Sequence, residues 1–302
     1  MTARGRRGAA ADAAVPGAAA ALVARILVPE RGVDAAIAVP GGATLALVGA
    51  NGAGKTTVVE ALAGIVAVSG GRIELGGRDL VPVPAWDRGV AIVDQRPVVL
   101  GRGRVADEAA FALTVRGMRP AAARAAAAPR LAQVGLADLA DRAVSALSGG
   151  QIQRLAIARA LVADPALLIL DEPFASLDAA STEAIVAMLA AERGRRTTIL
   201  VTHDPIEALR LADAVAVLDA GRIVESGPAA AVLARPATPA TVAFAGGAVA
   251  PGRVRGGRLE VDAGPLAGAS LPMPHGHGLA DGDAAVAGLA ADAIVVLPAP
   301  GR

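Results

Sequence analysis

Between about residues 21 and 235, short apolar runs alternate with longer stretches of helical texture. The runs are 44–48, 89–93, 167–170, 198–201 and 214–218. They are built of Val, Ile, Leu, Ala and Thr and carry almost no charge, as strands covered on both faces require. That alternation predicts an α/β fold with a mostly parallel sheet and helices packed on it. A different pattern holds at 72–80, where two short runs flank Gly76-Gly77, the residues of a two-residue hairpin turn. From about 105 to 146 the texture is helical with no strand, which predicts a helical insertion within roughly 100–155. After Pro236, Pro and Gly become frequent and short strand candidates appear at 253–254, 258–261, 284–287 and 294–297. The expected organisation is a tail over 1–20, an α/β domain over 21–240 and a small β-domain over 241–302. No internal repeat is visible.

Composition changes this picture by exclusion. Hydrophobic residues make up 54% of the chain, but alanine dominates them. No apolar run reaches the roughly 18 residues of a membrane span, and the most lipid-like stretch, 238–250, is broken by Pro and Gly. An integral membrane protein is therefore not expected. A net charge of +1 lacks the basic excess of a nucleic-acid binder, so no nucleic-acid partner is expected. With no cysteine, disulfides, thiolate nucleophiles and Cys-based metal sites are absent, and a reducing compartment fits. Arg4, Arg6 and Arg7 are not followed by an apolar segment of signal-peptide type, so the cytoplasm is the expected setting. His275 and His277 lack a third ligand nearby in sequence and read as solvated surface rather than a metal pair.

Candidate chemistry is concentrated at two strand ends. Gly49-Ala50-Asn51-Gly52-Ala53-Gly54-Lys55-Thr56 fits the pattern G-x-x-x-x-G-K-[ST] directly after a strand and before a helix. Such a loop turns successive backbone N–H groups toward phosphate oxygens, and the helix N-terminus adds its positive dipole end. The nucleotide-binding candidates are Gly49, Asn51, Gly52, Ala53, Gly54, Lys55, Thr56 and Thr57. Lys55 is expected to reach the β- and γ-phosphates and Thr56 to ligate Mg²⁺. Lys55 is also the sole lysine among 29 basic residues, so a chance lysine in a Gly-rich turn is a poor explanation. At the second strand end, Leu167-Leu168-Ile169-Leu170-Asp171-Glu172 delivers two carboxylates from a buried strand, which is costly unless a cation or substrate uses them. Asp171 is placed to hold Mg²⁺ through water, and Glu172 to polarise the attacking water as general base.

With these come Gln95, Leu147-Ser148-Gly149-Gly150-Gln151, Ser176-Leu177-Asp178 and Val201-Thr202-His203-Asp204. In this order they resemble the Q-loop, signature, D-loop and switch motifs of ABC-transporter ATPases, over roughly residues 21–235. The resemblance implies a P-loop NTPase core with an antiparallel β-subdomain and a helical insertion, and a head-to-tail homodimer with ATP and Mg²⁺ at its interface. Each ATP then lies between the P-loop of one copy and Ser148, Gly149, Gly150 and Gln151 of the other, with Asp178 beside it. Gln95 is expected to sense Mg²⁺ or the water and relay occupancy to the helical insertion, and His203 to hold the γ-phosphate, the water and Glu172 in line. One departure stands out. The family usually stacks an upstream aromatic on adenine, yet no aromatic precedes Trp86, and the chain has only three Phe, one Trp and no Tyr. Stacking then falls to an aliphatic or Arg side chain, with Arg25, Arg31 and Val33 as candidates, or is weak.

With one cassette and no membrane segment, the chain resembles the energising subunit of an importer, held on the inner face of the cell membrane by separate transmembrane permease subunits and served indirectly by an extracytoplasmic solute-binding protein. Thr202-His203-Asp204-Pro205-Ile206-Glu207-Ala208-Leu209 is similar to the switch stretch of importers for oxyanions, sugars and polyamines. The C-terminal β-region resembles their appended OB-like domain. The compact cassette and the run Gly135-Leu136-Ala137-Asp138-Leu139-Ala140-Asp141-Arg142 look most like those of molybdate-type importers, which implies an oxyanion as solute. The alternative is a soluble ABC-type ATPase of DNA or ribosome maintenance, but the second cassette, coiled coil or zinc modules typical of that class are missing.

Overall fold

The computed structural model describes residues 13–14, 20–100, 103–175, 177–262, 268–273, 280–290 and 293–298. Its centre is a six-stranded sheet. Five strands, β4 (Thr44–Val48), β7 (Val90–Val93), β8 (Leu167–Asp171), β9 (Thr197–Val201) and β10 (Ala214–Asp219), are parallel, and β11 (Arg222–Pro228) closes one edge antiparallel to β10. The order across the sheet is β11-β10-β4-β9-β8-β7. The five runs read from the sequence are these five parallel strands, within a residue at each end.

Both faces of this sheet are buried, and the strand period of two divides its side chains between separate cores. Leu45, Leu47, Leu167, Ile169, Ile199, Val201, Ala216 and Leu218 face one core. Leu168, Leu170 and Leu200 face a second, and Ala46, Val48, Val215 and Val217 a third. The first core is roofed by a mostly antiparallel sheet ordered β1-β3-β2-β5-β6 and by helix α1 (Lys55–Ala63). Its strands are β1 (Ala13–Ala14), β2 (Ala20–Val28), β3 (Val33–Pro40), β5 (Gly70–Leu75) and β6 (Arg78–Asp79). The expected hairpin is present, with Leu75 opposite Arg78 across Gly76-Gly77. Within the 1–20 stretch, Ala13–Ala14 pairs in parallel with Ile37 and Ala38.

The second core is the helical insertion. Helices α2 (Val105–Val115), α3 (Pro120–Gln133) and α4 (Gly149–Val162) carry it, and an isolated bridge between Arg104 and Ala143 is the β-pairing within that stretch. Helix α5 (Ala179–Glu192) follows β8 and contributes Ile185, Met188 and Leu189 to the same core. Helices α6 (Pro205–Leu211), α7 (Ala229–Ala234) and α8 (Pro239–Phe244) cover the third core.

A last antiparallel sheet, β14-β13-β12-β15-β16, runs from β12 (Ala248–Arg255) and β13 (Arg258–Val261) through β14 (Ser270–Pro272) to β15 (Ala284–Ala290) and β16 (Ala293–Pro298). Its small core holds Val254, Leu259, Val261 and Ala285. Strand β14 is an addition to the four strands expected. His275 and His277 lie outside the described residues, as does Ser176. Among the described residues no helix is long and apolar enough to cross a membrane.

Candidate nucleotide site

The strand order assembles the site. The loops that follow β4, β9, β8 and β7 are neighbours along the carboxyl edge of the parallel sheet, where α/β sheets bind ligands. Read across that edge, they carry the P-loop, His203, the Asp171-Glu172 pair and Gln95.

The P-loop takes its shape from two glycines that no other residue replaces. Gly49 has φ +150, and a Cβ there would strike the Leu218 carbonyl oxygen. Gly54 caps α1 at φ +107, and a Cβ there would come within 2.9 Å of Val33 Cγ2. Lys55 curls back inside the loop, its Nζ donating to the Gly49 and Ala50 carbonyls at 2.7 and 3.0 Å. Burial lowers its pKa, while Glu172 and Asp171 act in the opposite sense. Ala53, Lys55 and Thr57 are buried, whereas Asn51, Gly52 and Thr56 face solvent.

Gln95, Glu172 and His203 come together although their spacing in sequence is wide. Gln95 Nε2 donates to Glu172 Oε2 at 2.8 Å, and His203 Nδ1 lies 3.3 Å from the other carboxylate oxygen. Glu172 is therefore held from both sides, on a backbone at φ +46. That left-handed conformation costs a non-glycine residue about 1–3 kcal/mol and is typical of functional sites. Asp171, one residue earlier, has its carboxyl pushed up by burial, then by the charges of Glu172 and Asp94, with Lys55 opposing. Like charges crowded at a half-buried edge call for a cation.

A cavity of about 370 Å³ joins these groups, lined by Arg31, Asn51, Gly52, Gly54, Lys55, Thr56, Thr57, Gln95, Asp171 and Glu172. An adjoining cavity of about 720 Å³ extends past Gly49, Ala50 and His203 to Asp219 and to Phe244 on α8. Thr56, Asp171 and Gln95 present hard oxygen donors on the first cavity. Among the described residues no group of three or more His, Cys, Asp or Glu is disposed around a metal. That donor set fits Mg²⁺, which takes few protein ligands and completes its shell with water and phosphate.

The signature residues are elsewhere. Ser148 caps α4 through a capping box, accepting from Gln151 N at 3.3 Å while Ser148 N donates to Gln151 Oε1 at 3.0 Å. Ser148 and Gly149 are exposed and Gly150 is half-buried; none lines the P-loop cavity of its own chain. Gly150 packs close to Leu177 and Ser181, and Asp178 caps α5 by accepting from Ser181 N at 2.7 Å. Of the candidates for covering a base, Val33 is buried at 1% exposure and Arg25 is engaged by Asp34 through two hydrogen bonds of 3.1 Å. Arg31 alone of the three borders the P-loop cavity, its guanidinium held 2.6 Å from Glu60 on α1.

Residues 34–175 match the family model described as ABC transporter. This segment belongs to the ABC transporter family. The match implies an ATP-binding domain. Among relatives, the sulfate/thiosulfate import ATP-binding protein CysA of Mycobacterium bovis is 41% identical over 210 residues, covering 69% of this chain and 60% of that protein. The molybdenum import ATP-binding protein ModC of Mycobacterium tuberculosis is 40% identical over 224 residues, covering 70% and 61%. The putative 2-aminoethylphosphonate import ATP-binding protein PhnT of Salmonella typhimurium is 40% identical over 198 residues, covering 65% and 54%. The similarity thus spans little more than half the length of these relatives.

Sequence reasoning missed Arg88, which shapes the site from behind. Buried at 8% exposure, it donates to the Ala61 and Leu62 carbonyls at 2.8 and 3.0 Å and to Val83 at 2.9 Å. It thereby closes the C-terminus of the P-loop helix. Only its partners, 26 and 27 residues upstream, reveal that role.

Proposed function

We propose that the chain is the ATP-hydrolysing subunit of an ABC importer. It couples ATP binding and hydrolysis between two head-to-tail copies to solute uptake through separate membrane subunits on the inner face of the membrane. The observation that carries this reading is the bracketing of Glu172 between Gln95 and His203 across the cavity from Lys55. In it, Lys55 leaves its loop carbonyls to meet β- and γ-phosphates, and Thr56, Gln95 and Asp171 hold Mg²⁺. Glu172 takes the proton from the attacking water while Gln95 and His203 keep it aimed. When bound, the cation neutralises charge developing on the transferred phosphoryl group.

The exposed Ser148–Gly149 helix start, empty of any role at its own P-loop, supports its use at a second copy's γ-phosphate. Arg31 takes the place of the missing aromatic, its planar guanidinium able to stack on adenine. The relatives named for sulfate, molybdenum and 2-aminoethylphosphonate import favour an oxyanion, molybdate among them, as the solute. Docking of a membrane subunit is supported by an apolar groove of about 380 Å³ that includes Ile65, Val66, Val81 and Pro82. Ile65, and Trp86 just past Pro84 of that lining, are 65% and 81% exposed.

Phosphate release by the purified chain with MgATP tests the reading, alongside Lys55→Ala. The expected outcome is turnover in the parent and loss of nucleotide binding in the variant. Nucleotide affinity unchanged by Lys55→Ala overturns it. Co-purification with a membrane subunit tests the transport assignment separately.

A further inference from the structure

A buried ion pair lies behind the Q-loop and has no part in the chemistry above. Glu108 on α2 is 2% exposed in its side chain and Arg159 on α4 is 25% exposed; Arg159 Nη1 meets Glu108 Oε1 at 2.5 Å. Each partner spends its remaining capacity on the backbone that follows Gln95. Arg159 Nη2 donates to the Val98 carbonyl at 2.9 Å, and Leu100 N donates to Glu108 Oε2 at 3.1 Å. The side chains of Val98 and Leu100 themselves point to solvent, 74% and 54% exposed, so hydrophobic contact does not fix them. Only Val99 between them packs on the second core. Further along, Gly103, Val105 and Ala106 hydrogen-bond to Val144, Arg142 and Ala140, the stretch that leads into Leu147-Ser148.

A buried ion pair is rarely a net gain in stability over apolar residues of the same size. What apolar residues cannot do is hold a backbone carbonyl and a backbone amide at fixed points. Glu108 and Arg159 do this, and Arg159 belongs to the helix whose N-cap is Ser148. We propose that Glu108 and Arg159 are positioning residues that fasten the Q-loop to the signature helix, so that displacement of Gln95 at the nucleotide is delivered to Ser148. This rests on the nucleotide-site reading above.

The test is the paired substitution Glu108→Met with Arg159→Met, which replaces the ion pair by apolar volume and removes both grips on the backbone. The expected variant unfolds cooperatively near the parent's melting temperature and binds a fluorescent ATP analogue within about threefold of parental affinity. Its turnover falls about tenfold or more, as slight misplacement of an aiming group does, and combining it with Gln95→Ala lowers turnover no further. Amide exchange at Leu100 accelerates even without nucleotide. Parental turnover in a folded variant, or losses that multiply with those of Gln95→Ala, overturns the proposal, because a pair serving structure alone acts independently of Gln95. If the paired variant does not fold, Arg159→Lys serves: it keeps the charge but, as a single ammonium with less reach and no fork, cannot reproduce the forked contact to Glu108 and Val98, and the same outcomes decide. Failure of the parent to bind ATP refutes the nucleotide reading instead, and exchange at Leu100 still reports on the fastening.

Discussion

Replacing Glu172 by glutamine removes a charge and almost nothing else. The amide keeps an oxygen to accept from Gln95 Nε2, at 2.8 Å in the parent, and turns its nitrogen toward His203 Nδ1, at 3.3 Å. The left-handed backbone at φ +46 strains either residue equally, so fold stability stays within about 0.5 kcal/mol of the parent. Two neighbours respond to the lost charge. Glu172 helps hold the Asp171 carboxyl above its ordinary pKa and opposes the lowering of the Lys55 pKa by burial. Without it Asp171 ionises more readily, which favours a cation, so MgATP binds as well as before or better. On the proposed mechanism the hydrolytic step loses its general base, worth about 10²–10⁴-fold, or roughly 2.7–5.4 kcal/mol of barrier. Phosphate release at saturating MgATP measures the hydrolytic loss, nucleotide titration the retained binding, and light scattering the ATP-bound head-to-tail dimers that the proposed function expects to persist when hydrolysis stops. The reasoning fails if Glu172→Gln turns over within tenfold of the parent while binding ATP normally, since proton removal then lies elsewhere.

Three further outcomes follow from other contacts. Arg88→Met keeps the apolar stem but strips the donors from Ala61, Leu62 and Val83; a loss of about 3 kcal/mol in urea unfolding is expected from charge-assisted bonds of this kind, and a loss under about 1 kcal/mol contradicts the capping role. Glu192 bridges Arg130 and Arg196 at 2.5 and 2.8 Å; burial works against its ionisation, but Arg130 and Arg196 outweigh it and hold the carboxyl below its ordinary value. A depressed carboxyl stabilises the fold above the unfolded-state pKa of about 4.3 and gives that stability up as pH falls through the lower folded value. Glu192→Gln should thus cost about 3 kcal/mol at neutral pH and converge on the parent in strong acid; a difference that persists there points to packing instead. Asp171→Asn relieves the crowding of Asp94, Asp171 and Glu172, so the nucleotide-free chain should melt higher while Mg²⁺-dependent nucleotide affinity falls, and a variant that melts lower disproves the relief.

What was legible in the sequence is what depends on local pattern. The five parallel strands showed because burial on both faces leaves uninterrupted apolar runs, and the P-loop because its glycines are demanded by its own backbone. Strands β2 and β3 did not stand out as runs, although Leu22, Ala24, Ile26 and Val28 alternate with more exposed neighbours, because the outward Val23 and Leu27 of β2 are apolar too and β3 writes much of its alternation in alanine. Residues whose meaning lies in distant partners were out of reach. Glu108 finds Arg159 51 residues away, Arg130 finds Glu192 62 residues away, and nothing in the local sequence of any of them says so. The choice among Arg25, Arg31 and Val33 likewise needed the sheet, which buries Val33 and gives Arg25 to Asp34.

Several local rules are broken together where the nucleotide is proposed to act. Elsewhere several acids are paired with arginine, as at Arg25–Asp34, Arg130–Glu192 and Arg159–Glu108, and the two other left-handed non-glycine residues, Asp164 and Ala220, line neither cavity. At the sheet edge a non-glycine residue is left-handed, two neighbouring carboxylates share a half-buried pocket, and the one lysine is turned onto its own loop carbonyls. None of these is a good arrangement for an isolated chain. On the proposed reading, each is improved by MgATP and its attacking water: a divalent cation would neutralise Asp171, phosphate oxygens would give Lys55 a better partner than two carbonyls, and the water would give Glu172 a proton to take. Arginine cannot stand in for Lys55, because its wide fork does not fit inside a loop that brings Gly49 and Ala50 carbonyls within 3.0 Å of a single nitrogen. The sole lysine of an arginine-rich chain thus occupies the position where, on the proposed reading, a compact point charge leaves its resting contacts for a phosphate.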